Sequence, residues 1–290
     1  MTAPTRPVLR WHGGKWLLAP WIISHFPEHR VYVEPYGGAA SVLMRKEPAY
    51  AEIYNDLDKE VVSLFRILRD QFNCKELTRR LELTPFARLE FESAYCDPSD
   101  DMDRARKLII RSFMGFGSDC STSQYRGGFR ANSNRSGSTP AHDWVNYSGA
   151  IQAFTKRLSG VVVENRPAID VMRAHDTSDT LHYVDPPYVH DTRSGKARGT
   201  GKQKYSYRHE LSDEDHAELL EALCELEGMV VLSGYPHALY SETLLDWHRV
   251  ERKALADGAR ERTEVLWLNP ACWGALRTQR AQGELLEALV

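Results

Sequence analysis

Leu181-His182-Tyr183-Val184-Asp185-Pro186-Pro187-Tyr188 is a short apolar run that halts on Asp-Pro-Pro-Tyr. The run, Leu181–Val184, reads as a buried strand. The two prolines lack an amide donor and fix φ, so the strand stops there and the chain stiffens. A carboxylate, rigid carbonyls and an aromatic ring are thereby left at the carboxyl end of a strand, where open α/β sheets bind ligands. That set suits a flat base whose amino group must be held and polarised.

Working outward, short β-branched or aromatic runs recur at Val31–Glu34, Ala51–Asn55, Gly160–Glu164, Met229–Ser233, His248–Arg252 and Val265–Leu268. Amphipathic segments lie between several of them: Lys15–His25, Ser41–Arg45, Lys59–Asp70, Ile151–Leu158 and Ser212–Glu227. Strand alternating with helix predicts an α/β fold, a mostly parallel sheet covered on both faces. The last two strands have no strong helix between them and read as an antiparallel pair closing the edge. Ser212 before Asp213-Glu214 reads as a capped helix start.

The alternation breaks between about Glu60 and Gly149, which divides the chain into a catalytic unit (1–59 and 150–290) and an insertion (60–149). The insertion is helical and charged up to Met114, then rich in Gly, Ser, Arg and Asn. Its polar tract Gln124–Thr139 is too long for a plain connection in a compact domain. Net charge is −3, yet the basic residues cluster. Between Arg104 and Arg135 only Asp119 is acidic, and Arg193–Arg208 contains no acid. Such Gly-, Ser- and Tyr-rich basic loops are expected to meet a phosphate backbone.

Composition, 42% hydrophobic and 27% charged, is that of a soluble globular protein. No apolar run has the length of a membrane span, and the N-terminus lacks a signal-peptide core. Five scattered cysteines without a Cys-x-x-Cys pair point to a reducing, cytoplasmic setting. The histidines show no metal-ligand spacing, so no metal is expected.

Val31-Tyr-Val-Glu-Pro-Tyr-Gly-Gly-Ala-Ala-Ser-Val is a strand, an acid, a glycine turn and a helix start. Gly37 and Gly38 let the backbone approach a ligand, and the next segment offers unpaired amides. Roughly twenty residues on, the following strand ends in Asn55-Asp56, the spacing of an acid that holds a ribose diol. Upstream, Leu9-Arg-Trp-His-Gly-Gly-Lys15 sets a lysine on another glycine turn. Its spacing is not that of a P-loop, which disfavours a nucleoside triphosphate.

The order Trp-His-Gly-Gly-Lys, Val-Glu-Pro-Tyr-Gly-Gly, Asn-Asp and Val-Asp-Pro-Pro-Tyr resembles the Dam-type DNA adenine-N6 methyltransferases in their alpha arrangement, from about Leu9 to Asn269. The resemblance implies a Rossmann-like methyltransferase sheet with an inserted target-recognition domain. It implies an S-adenosylmethionine site lined by Trp11, Lys15, Glu34, Tyr36, Gly38, Asp56 and Asp185, with Lys15 near the methionine carboxylate and Asp56 on the ribose. Asp185, Pro186, Pro187 and Tyr188 are the implied catalytic residues. One departure stands out: family members often carry a further glycine where this chain has Ala40.

The implied chemistry follows from the substrate. The adenine amino group is a poor nucleophile because its lone pair is delocalised. An ionised Asp185 and the Pro186 carbonyl can each accept one N–H, favouring the pyramidal nitrogen found only near the transition state. The base must leave the duplex to be reached, and Tyr188 would stack on it. Arg111, Arg126, Arg130, Asn132, Asn134 and Arg135 are the residue types that contact phosphates or read purine edges. The expected partner is double-stranded DNA, with or without a cognate restriction endonuclease, and the expected state a monomer or weak dimer of bacterial or phage origin. RNA or a cytosine amino group stays open as acceptor, as does a DNA-binding protein with a vestigial cofactor pocket. A dehydrogenase is disfavoured because the glycine turn does not match G-x-G-x-x-G.

Overall fold

The structure is a computed structural model and describes residues 3–117, 127–132, 134, 137–189, 192, 209–256 and 260–287. Seven strands form one sheet: β1 (Val31–Glu34), β2 (Ala51–Asn55), β3 (Val161–Glu164), β4 (Thr180–Val184), β5 (Met229–Gly234), β6 (His248–Ala256) and β7 (Arg260–Leu268). Their order is β3-β2-β1-β4-β5-β7-β6. The first five run parallel, while β7 is antiparallel to both β5 and β6. This is the mixed α/β sheet with an antiparallel last pair that the strand pattern predicts, consistent with an S-adenosylmethionine-dependent methyltransferase fold.

The chain moves outward from β1 through β2 to β3, then returns to place β4 on the other side of β1. The crevice beyond the carboxyl ends of β1 and β4 is therefore the topological switch point, where such sheets bind ligands.

Apolar side chains alternate between the two faces with period two. Tyr32, Tyr54, Leu181, Tyr183, Val231, Leu266 and Leu268 share one core cluster. It also takes in Val61, Leu64, Phe65 and Leu68 of helix Lys59–Arg69, Leu108, Ile109 and Ile110 of helix Asp101–Met114, and Ile151 and Phe154 of helix Ser148–Leu158. Val184, Val230, Leu232, Val265 and Trp267 pack on the opposite face against Leu219, Leu220 and Leu223 of helix Asp213–Glu225. Burial on both sides explains why the strands read as nearly unbroken apolar runs.

Local signals set several boundaries. Ser212 and Asp215 form a reciprocal capping box, Ser212 N donating to Asp215 at 2.8 Å and Asp215 N to Ser212 Oγ at 3.1 Å. Asp58 caps the helix from Lys59 by accepting from Glu60 N at 2.9 Å.

Two expected helices are shorter than the pattern suggests. Lys15–His25 is helical only over Ala19–Ile23, with Pro20 in the first turn. Ser41–Arg45 makes turns, not an α-helix. Ala40 just before it has φ +51°, and the Leu43 amide donates to the Glu34 carboxylate at 3.0 Å.

Candidate active site

Six polar side chains stand on one face of the sheet towards the carboxyl ends of its parallel strands. Tyr32 and Glu34 share a face of β1. Tyr183 and Asp185 continue one face of β4. Ser233 follows Val231 on β5, and Glu264 precedes Leu266 on β7. Because β7 is antiparallel, its first half lies beside the carboxyl ends of the others, which brings Glu264 into the group.

The N-terminal segment covers this group. Val8 and Leu9 are buried in the core. Tyr147 donates to the Val8 carbonyl at 2.8 Å, while Ser112 Oγ accepts from Arg10 N at 2.7 Å and donates to the Arg10 carbonyl at 3.1 Å. That clamp drives Lys15 inward until it is 6% exposed. Lys15 Nζ donates to the Gly13 carbonyl at 2.9 Å, lies 3.2 Å from Asp185 Oδ1 and 3.9 Å from Glu264 Oε1, and sits 4.7 Å from the Tyr188 ring centre. Asp185 Oδ1 is buried without a well-aimed hydrogen bond. Burial pushes the Asp185 carboxyl up, and Lys15 draws it back. An ion pair, and not exposure to water, thus favours the charged form of this acid.

Beside it lies a cavity of about 460 Å³. Trp11, Lys15, Glu34, Tyr36, Gly38, Asp56 and Asp185 all line it, as does Pro187, whereas Pro186 and Tyr188 do not. Asp185 therefore stands at the boundary between the cavity and the Tyr188 side. Glu34 Oε2 accepts from the Tyr32 hydroxyl at 2.8 Å and from Leu43 N; even so, burial raises its carboxyl to about 8. Asp56 accepts from Gly38 N and Asp58 N, both at 2.8 Å, and burial raises it to about 6.

Asn55 holds the glycine turn between them, its side-chain amide donating to the Pro35 carbonyl and its backbone carbonyl accepting from Gly37 N. A Cβ on Gly37 would lie 2.1 Å from the Tyr54 ring, so only glycine fits. Gly38 has φ +47° and lies against Trp11. Ala40, at φ +51°, occupies a backbone region that favours glycine, at a cost of roughly 1–2 kcal/mol.

The expected DNA-contacting residues do not behave alike. Arg111 is a correction: it is 2% exposed, pairs with Glu60 at 2.6 Å and donates to the Ala94 carbonyl at 2.7 Å. Its position on the core face of helix Asp101–Met114, flanked by Ile110 and Ser112, removes it from the surface. Arg130 is largely buried, 4.0 Å from Asp143. Asn132 and Asn134 are exposed. Gly115 and Phe129 pair in an isolated antiparallel bridge. Arg126, Arg135 and the basic stretch Arg193–Arg208 lie outside the described residues.

Sequence reasoning overlooked Glu264, Ser233, Tyr183 and His209, the last also on the cavity wall. A signal for Glu264 exists in Thr263-Glu-Val-Leu-Trp-Leu268, where one acid shares the core face of an apolar strand. Among the described residues, no group of His, Cys, Asp or Glu is placed to hold a metal ion, and no helix is long and apolar enough to cross a membrane.

The sequence is similar to those of known proteins. The chain is 26% identical over 257 residues to a DNA adenine methylase of Salmonella typhimurium, covering 85% of each chain. It is 24% identical over 263 residues to the DNA adenine methylase of Escherichia coli K12, covering 87% of this chain and 90% of that one. The family model for D12 class N6 adenine-specific DNA methyltransferases matches residues 11–226. With most of its length matched, this chain belongs to that family and is an adenine-specific DNA methyltransferase.

Proposed function

We propose that the protein transfers a methyl group from S-adenosylmethionine to N6 of adenine within a short sequence of double-stranded DNA, by base flipping and direct in-line attack. The observation that carries this reading is the convergence of seven residues from four separate chain segments on one cavity with Asp185 at its edge.

The cavity suits that donor. Its ionisable lining is dominated by Glu34, Asp56, Asp58, Asp185, Glu210 and Asp215, with Lys15 as a cation. An acidic wall complements a ligand carrying a sulfonium and an ammonium, and Lys15 is the group to meet its carboxylate. Glu34, Tyr36 and Gly38 would form the wall beside it, Trp11 would close it, and Asp56 would take the ribose diol. S-adenosylmethionine, when bound, supplies an electrophilic methyl group.

The remaining work falls to this chain's own residues. Asp185 and the Pro186 carbonyl each accept one N–H of the adenine amino group, stabilising the nitrogen as it becomes pyramidal. Pro186 and Pro187 fix that carbonyl in place. Tyr188, on the side away from the cavity, offers its ring to the extruded base. The insertion 60–149 would supply target recognition, with Arg126, Arg130, Asn132, Asn134 and Arg135 as its contact residues.

Methyl transfer from labelled S-adenosylmethionine to unmethylated genomic DNA, followed by single-molecule sequencing, tests the reading. N6-methyladenine confined to one short motif is the expected product. Asp185→Ala should lose turnover while still binding DNA and cofactor. Retained turnover in that variant overturns the mechanism.

A further inference from the structure

We infer that Glu264 is a positioning residue for the base-handling half of the site: it fixes the Tyr188 ring through its hydroxyl, next to the Lys15–Asp185 pair. This inference rests on the methyl-transfer reading above. Glu264 Oε2 accepts the Tyr188 hydroxyl at 2.9 Å, and Oε1 lies 3.9 Å from Lys15 Nζ. Tyr188 has one hydroxyl proton and gives it to Glu264. Ser233 Oγ, 3.1 Å away, must then donate to the same hydroxyl.

The ring is also held edge-on against Tyr235, with centroids 4.6 Å apart at 74°. Two hydrogen bonds and one aromatic contact leave the plane of Tyr188 little freedom. A surface that stacks on an extruded base works best when its plane is set beforehand, since no reorganisation is then required on binding. A phenylalanine would offer the same face without the anchor.

The cost of the arrangement argues for a purpose. Glu264 is 6% exposed on the strand face it shares with the buried Leu266 and Leu268. Burial disfavours its charge, Lys15 restores it, and Asp185 opposes it. One lysine therefore serves two carboxylates, held between them over the Tyr188 ring. Glu264, Ser233 and Tyr188 do not line the cavity, so their contribution is separable from cofactor binding.

The test compares Glu264→Leu, Tyr188→Phe, their double variant and Glu264→Gln on a duplex carrying the wild-type methylation motif. Turnover is measured alongside cofactor affinity by calorimetry. Glu264→Leu should lower kcat about 10- to 100-fold, the scale of one lost charge-assisted hydrogen bond at the reacting centre, with cofactor Kd within about threefold. Tyr188→Phe should reproduce the loss, and the double variant should be no worse than the weaker single one, because both remove the same bond. Glu264→Gln, which keeps an acceptor, should recover most of the rate.

Additive losses, or a Kd change as large as the kcat change, overturn the inference. Should the leucine variant fail to fold, Tyr188→Phe loses only one oxygen and decides the matter: wild-type kcat there overturns the anchor. A wild-type enzyme without DNA methylation overturns the functional reading and the inference with it, whereas wild-type turnover unaffected by these variants overturns the inference alone.

Discussion

Binding of S-adenosylmethionine should release a proton, and Glu34 is the group expected to shed it. Its carboxyl is raised to about 8 by burial, more than its bonds from Tyr32 and Leu43 can offset. With that value, about nine-tenths of the free enzyme holds Glu34 neutral at pH 7. A net-cationic ligand in the cavity favours the ionised form, so the proton present in the free protein leaves in the complex. Affinity must therefore climb with pH, approaching tenfold per unit, or about 1.4 kcal/mol, until Glu34 is ionised in the free enzyme. Asp56, raised to about 6, adds a second and lower step. Calorimetry in buffers of different ionisation enthalpy counts the proton directly; about 0.9 is expected from Glu34 at pH 7 and about half near pH 8. Glu34→Gln should abolish the release and flatten the dependence, with its largest loss of affinity above pH 8. The sign for folding is the reverse. The folded acid binds protons that the unfolded chain, at the ordinary carboxyl value of 4.5, has lost. The ligand-free wild type should therefore lose stability as pH rises from 4.5 towards 8, and the glutamine variant should not. A wild-type Kd independent of pH, or proton release unchanged in Glu34→Gln, would refute the assignment.

Two further outcomes follow from packing. Gly37→Ala places a methyl group 2.1 Å from a Tyr54 ring that stacks on Phe65 at 4.4 Å and is tied to the Gly38 carbonyl at 2.7 Å. Its stability should fall by about 1–3 kcal/mol, with weaker cofactor binding, and a wild-type melting temperature and Kd would contradict the clash. Arg111→Ala leaves Glu60 buried without its 2.6 Å partner, at a cost of about 3–5 kcal/mol in urea unfolding. The salt dependence of DNA binding by the folded variant should be unchanged; a stable protein with a shallower salt slope would return Arg111 to the DNA surface.

Much of the sheet is legible in the sequence because its strands are short, β-branched and buried on both faces. The predicted limits of β1 and β2 coincide with the observed ones. Helices are less legible where tertiary bonds intervene. Ser41–Arg45 has a helical pattern, but Glu34 takes the Leu43 amide. Arg111 shows the converse problem. In a basic, charged helix an arginine reads as a surface contact, and nothing local reveals that Glu60 and the Ala94 carbonyl await it in the core.

By itself the sequence determines which chemical groups stand at strand ends. Asp-Pro-Pro-Tyr after an apolar run, Glu34 before a glycine turn and Asp56 after Asn55 are local patterns, and local sterics suffice to place them. Which groups meet is decided only by the tertiary structure. Tyr147 and Ser112 clamp the N-terminal segment so that Lys15 reaches Asp185. The antiparallel run of β7 carries Glu264 to the ends of the parallel strands, where it takes the Tyr188 hydroxyl. Strand order and direction arise from long-range burial and pairing, and no local pattern around Glu264 encodes either.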